Sequence, residues 1–126
     1  MELVKITPLG LIGENEKGST LEFKSSSPSK GRILAFRKKG SISGNHWHKG
    51  LSPAKDPEEL LLISGQIRLS VKAAETTQAL EERVVSGPSL IHIPKNVYHR
   101  VEALSDVSFL ESNSMEEHAS DTFYED

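Results

Sequence analysis

The polar and apolar residues of this chain alternate over short distances, mostly with a period of two. Gln66–Lys72 (QIRLSVK) is the clearest case, with Ile67, Leu69 and Val71 on one side and Gln66, Arg68, Ser70 and Lys72 on the other. Successive side chains leave a strand on opposite faces, so this segment is predicted to be a half-buried strand. Glu58–Ser64 (EELLLIS) places four apolar residues after two carboxylates and stops at Gly65. Its length and the glycine favour a strand covered on both faces over a helix. Shorter strand-like segments are Glu2–Ile6 (ended by Pro8), Thr20–Lys24, Arg32–Phe36, Ile42–His48, Arg83–Ser86, Leu90–Ile93, Tyr98–Leu104 and Val107–Glu111. Lys49–Pro57 (KGLSPAKDP) carries two prolines and a glycine and is assigned to a loop. Ala73–Glu82 has local helix propensity, but its apolar residues keep no helical stripe, and it too is assigned to a loop. About nine or ten short strands with closely spaced turns and no sustained helix predict an all-β sandwich or barrel.

Composition narrows the function classes. With 126 residues, the chain has the size of a single domain, and no linker, repeat or low-complexity block divides it. It contains no cysteine, which excludes a disulfide framework, a thiolate zinc site and a cysteine nucleophile. The net charge of −3, from 15 basic and 18 acidic residues, gives no basic face for nucleic acid. No apolar run approaches the roughly 18 residues that a membrane span needs, and the start, MELVKITPLG, lacks the apolar core of a secretory signal. A soluble, cytoplasmic protein with neither nucleic acid nor membrane as partner is the expectation. Residues 113–126 form an acidic, polar tail, with Phe123 and Tyr124 placed to dock on the body of the protein or on a second copy.

The stretch Gly40–His48 (GSISGNHWH) carries the chemistry. On a strand, His46 and His48 project from one face and Trp47 from the other, so two imidazoles form half of a metal site. Glu58 shares parity with Leu60 and Leu62, and His99 with Val101 and Ala103, so both start rows that face inward. Three imidazoles and a carboxylate suit Zn, Mn, Fe, Co or Ni. Glu59 and Asp56 stand beside Glu58 as alternative carboxylates.

These residues resemble the two motifs of the cupin superfamily. Gly40, five residues, His46-Trp47-His48, then Glu58, six residues and Gly65 follow its first motif. Gly87 followed by Pro94-Lys95-Asn96-Val97-Tyr98-His99 follows its second, with Asn96 in place of a glycine. Asn also tolerates the left-handed backbone of a turn. The nine residues between His48 and Glu58 make a longer gap than the family pattern has, as if Lys49–Pro57 were inserted above a barrel mouth. The Gly87-to-Pro94 interval is also one residue longer. The resemblance covers about residues 31–112 and implies a single-domain cupin-type jelly-roll β-barrel. It also implies one divalent transition-metal ion, zinc foremost, held by His46, His48, Glu58 and His99.

More narrowly, GNHWH, EELLLISGQIRLSV, IPKNVYH and the closing SDTFYED are similar to the cupin domain of bacterial capsular-polysaccharide sugar-nucleotide epimerases and to related keto-sugar isomerases. That likeness implies an epimerase or isomerase acting on a nucleotide-linked 4-keto sugar in polysaccharide biosynthesis, and a homodimer. Those epimerases also carry a reductase domain, whose Gly-x-Gly-x-x-Gly fingerprint is missing here. The carbon-bound proton beside a polarised carbonyl would be moved by an acid and a base, for which His92 and Tyr98 are the candidates. Tyr98 has the parity opposite to His99, and His92 shares that of Leu90. Arg32, Arg37 and Lys38 are candidates to meet a diphosphate, and Trp47 to stack on a base. The alternatives carried forward are a non-enzymatic cupin that binds a small sugar or carboxylate and an iron-dependent dioxygenase-type cupin, since a fold does not fix a function.

Overall fold

The computed structural model describes residues 3–125. Its elements are β1 (Lys5–Pro8), β2 (Leu11–Asn15), β3 (Gly18–Leu21), β4 (Ile33–Arg37), β5 (Ile42–Trp47), β6 (Glu58–Ser64), β7 (Gln66–Ala73), β8 (Glu81–Ser86), β9 (Ser89–Ile93), β10 (Val97–Ala103), β11 (Val107–Glu111), α1 (Met115–Ser120) and β12 (Phe123–Tyr124). Strands β1-β9-β6-β11-β4 form one five-stranded sheet and β12-β5-β10-β7-β8 another, while β2 and β3 make a separate hairpin. Every pairing is antiparallel.

The period-two pattern explains the core. Leu60 and Leu62 of β6, Ile91 and Ile93 of β9, and Val107 and Phe109 of β11 face Ile67, Leu69 and Val71 of β7 and Val101 and Ala103 of β10 across the sandwich. Leu69, Val71 and Ile91 are completely buried. Each such side chain stabilises the fold by roughly 1.5–3 kcal/mol relative to exposure. β6 is covered on its second face as well, where segment 22–32 crosses it and the Glu59 carboxylate takes Ser25 Oγ at 2.5 Å and Ser26 N at 2.8 Å. Gly65 turns β6 into β7 with φ +92°, and a Cβ there would lie 2.3 Å from Asp106 O. Asn96 holds its turn with φ 61° and donates its N–H to His48 O at 2.7 Å.

The structure corrects three expectations of the sequence. The strand expected at Thr20–Lys24 ends at Leu21, and the residues beyond it are the strap over β6. The strand expected from Glu2 begins at Lys5, Glu2 itself lying outside the described residues. The tail, read without a helix, contains α1, held by a capping box in which Ser114 Oγ accepts from Glu117 N and the Glu117 carboxylate accepts from Ser114 N. Six residues are too few for helical periodicity to show, so the cap and tertiary contacts hold this turn and a half. The tail then docks on the body: β12 pairs with β5, Phe123 opposite Trp47 and Tyr124 opposite His46.

Candidate metal centre

The register of β10 on β5 sets His99 opposite His46, at the point where a bulge shifts the pairing. His46 and His48 point inward from the end of β5, so three imidazoles of one sheet meet. Their ring centroids are 4.8–5.2 Å apart, and one nitrogen of each lies within 4.8 Å of the others. Glu58 arrives from β6 of the facing sheet. Its Oε2 is 2.6 Å from His48 Nε2 and 3.5 Å from His99 Nε2, and its Oε1 is 3.7 Å from Lys55 Nζ. Of the three neighbouring carboxylates, Glu58 is the one beside the imidazoles. Glu59 lies on the opposite face of β6, and Asp56 accepts from Lys95 N near the surface.

Hydrogen bonds on the far side of two rings fix their tautomers. His48 Nδ1 lies 2.6 Å from Asp121 O and His99 Nδ1 3.0 Å from Val97 O. A carbonyl only accepts, so each Nδ1 carries a proton, and a neutral ring then presents a bare lone pair at Nε2. Burial, then neighbouring His99 and His48, pushes His46 down to about 3, and burial also lowers His99. Burial opposes ionisation of Glu58, yet the His48 contact, His99 and Lys55 hold its carboxyl well below the usual range. The neutral His99 ring therefore turns its lone pair towards the Glu58 carboxylate. Although His48 and Glu58 approach to 2.6 Å, no hydrogen bond of acceptable geometry forms, and His48 Nε2, His99 Nε2 and Glu58 Oε2 are buried without partners. Three imidazoles and a carboxylate gathered at one buried point are a donor set that suits a divalent transition metal.

Known structures share this architecture at low sequence identity. A 3,4-ketoisomerase from Helicobacter canadensis superposes with a TM-score of 0.73 at 16% identity, covering 97% of this chain and 90% of that one. The dTDP-6-deoxy-D-glucose-3,5-epimerase RmlC from Legionella pneumophila, in complex with dTDP-4-keto-L-rhamnose, superposes at 0.69 with 16% identity over 98% and 73%. The capsular polysaccharide assembling protein CapF from Staphylococcus aureus gives 0.60 at 24% identity, covering 93% of this chain and 34% of CapF. The chain has the cupin fold. No protein-family model and no curated protein matches the chain.

A cavity of about 430 Å³ opens onto the cluster between β4 and β5. Its walls include Arg37, Ile42, His46, Glu111, His118 and Tyr124. Sequence reasoning passed over four residues around this cluster. Glu111 shares parity with inward Val107 and Phe109, a signal present in VSFLE, and burial, then the charge of Glu58, raises its carboxyl. His118 comes from α1, with its ring centroid 5.4 Å from that of His46 and 5.8 Å from that of His48. Burial, then the charge of Lys55, holds it at about 4. Lys55 belongs to the 49–57 loop yet is completely buried. Asp121, also fully buried, ties that loop down by accepting from Lys49 N and Ser52 N. No local pattern marks the last three.

The two acid–base candidates lie elsewhere. His92 sits on the outer face of β9, with Nε2 3.3 Å from Glu59, and Tyr98 faces out from β10, donating to Asn45 Oδ1 at 3.0 Å. The structure brings neither to the cluster, because each has the parity of the outer face. Arg37 reaches the cavity wall, whereas Arg32 donates to the carbonyls of Ser29 and Gly31. Trp47 packs against Phe123 at 5.3 Å and is buried, so it offers no free face to a base.

Proposed function

We propose that this cupin binds one divalent transition-metal ion, zinc foremost, through His46, His48, His99 and Glu58, and epimerises or isomerises a nucleotide-linked 4-keto sugar. The observation that carries the reading is the set of buried, unpartnered polar atoms of His48, His99 and Glu58 packed around His46, which itself lines a cavity open to solvent. Its volume of about 430 Å³ suits a small-molecule site. The fold shared with ketoisomerases and 3,5-epimerases supports the choice of reaction. A divalent cation held there would polarise a carbonyl oxygen and acidify the adjacent C–H bond.

The remaining steps fall to the chain's own residues. Glu111 faces into the cavity, and its raised carboxyl suits proton transfer near neutral pH better than an ordinary glutamate does. It takes a proton from the carbon beside the ketone and returns it to that carbon or its neighbour. Arg37, at the cavity wall, is placed to meet a diphosphate. The neutral imidazole of His46 adds no positive charge that would repel a cation.

Two measurements on untagged protein test this. Elemental analysis gives the metal content. NMR in D₂O with dTDP- and UDP-linked 4-keto-6-deoxy sugars reads deuterium uptake beside the ketone. Stoichiometric metal with exchange is the expected result. Metal without exchange on any such sugar would refute the reaction, and no uptake of any of the five ions would refute the site, leaving a small-molecule binding module.

A further inference from the structure

The four clustered imidazoles do not share one tautomer. His48 and His99 donate through Nδ1 to carbonyls and turn Nε2 towards Glu58. His118 is the reverse. Its Nδ1 is 2.9 Å from Lys55 Nζ, and a lysine ammonium has donors and no acceptor. The Nδ1 of His118 therefore accepts, and the proton of the neutral ring sits on Nε2, the opposite edge. Lys55 is completely buried and also faces Glu58 Oε1 at 3.7 Å, so its head group is confined between the two. His118 itself lines the cavity beside His46 and Tyr124.

We infer that His118, its tautomer locked by Lys55, presents Nε2–H to the cavity as the hydrogen-bond donor for a substrate oxygen on which negative charge develops. This rests on the keto-sugar reading and gives His118 a role distinct from that of the metal-facing imidazoles: a donor and not a ligand. As the proton leaves the carbon, its electron pair moves to the carbonyl oxygen, and a neutral N–H aimed at that oxygen stabilises the enolate without giving up its own proton. Lys55 is the positioning residue. It lies beyond the ring and acts only by fixing which nitrogen carries the hydrogen.

The test uses the full chain. Nitrogen-15 NMR of the wild type is expected to show His118 as the Nε2–H tautomer, and Lys55→Met to mix the two tautomers. With dTDP-4-keto-6-deoxyglucose, His118→Phe is expected to lower kcat about 10²–10³-fold with KM nearly unchanged, the loss typical of one such donor. His118→Gln, which keeps an N–H, should recover part of it. His118 is half-buried on a short helix, so both variants are expected to fold even where Lys55→Met does not. The Nδ1–H tautomer in the wild type, or His118→Phe with an unaltered kcat, would overturn the assignment. A wild type that shows the Nε2–H tautomer but turns over no keto sugar would overturn the reaction, and with it the donor's role, while leaving the tautomer itself established.

Discussion

Glu58 and Glu59 are adjacent in sequence but lie on opposite faces of β6, and replacing each should have a different consequence. Glu59 is completely buried, and its carboxylate accepts from Ser25 Oγ, Ser26 N and Ser112 Oγ at 2.5, 2.8 and 2.6 Å, with His92 Nε2 at 3.3 Å. Burial works against ionisation, but the hydrogen bonds from Ser112, Ser25, Ser26 and His92 prevail and bring the carboxyl from 4.5 down to about 2. At 1.36 kcal/mol per pH unit this corresponds to an upper figure of roughly 3 kcal/mol. The strap over Glu59 is one chain thick, so screening by solvent reduces the expected loss to about 2 kcal/mol for Glu59→Gln at pH 7.

The sign of the pH dependence follows from linkage. A depressed carboxyl binds its proton more weakly when folded, so its contribution is complete above pH 4.5 and is lost as pH falls towards 2. The assay is urea unfolding of wild type and Glu59→Gln at a series of pH values, with metal content measured in parallel. The stability difference should be largest near neutral pH, shrink below pH 4.5 and vanish near pH 2. Metal content should stay that of the wild type in Glu59→Gln and fall in Glu58→Gln. A stability difference independent of pH, or equal metal loss in the two variants, would refute the assignment of the carboxylates to opposite faces.

Three further outcomes are expected. The double substitution His46→Ala/His48→Ala should abolish metal binding, by elemental analysis, with the far-ultraviolet circular dichroism of the barrel retained; full metal content would show that the ligand set is wrong. His46 is held at about 3, so below pH 6.5 the unfolded ring takes up a proton that the folded ring refuses. Metal-free protein should lose stability from pH 6.5 towards 3, and His46→Phe should flatten that profile; parallel profiles would place His46 in solvent. Gly65→Ala should cost more than about 2 kcal/mol in urea unfolding, since φ is +92° and the new Cβ would meet Asp106 O at 2.3 Å. A loss below about 0.5 kcal/mol, the size of a neutral surface change, would mean that the turn relaxes freely.

The alternation of Ile67, Leu69 and Val71 was enough to identify β7 and its buried side, because pleating turns every second side chain the same way. The same rule told which way His46, His48, Glu58 and His99 face, and that Tyr98 faces away. It could have found Glu111 from its place after Val107 and Phe109. Parity is a property of one strand, however, and does not say which strands are neighbours. That His99 lies opposite His46, and that Glu58 comes from the facing sheet, depends on how the two sheets are ordered and packed. His118, Asp121 and Lys55 were illegible for a stronger reason. A six-residue helix has no periodicity to read, and the Asp121 carbonyl meets His48 across 73 residues of chain. Lysine in a proline-rich loop reads as solvated, and Lys55 is buried only because Glu58 and His118 surround its charge. Local polarity fixes the direction of a side chain, whereas its partners are fixed by long-range packing, where the proton on each imidazole is also decided.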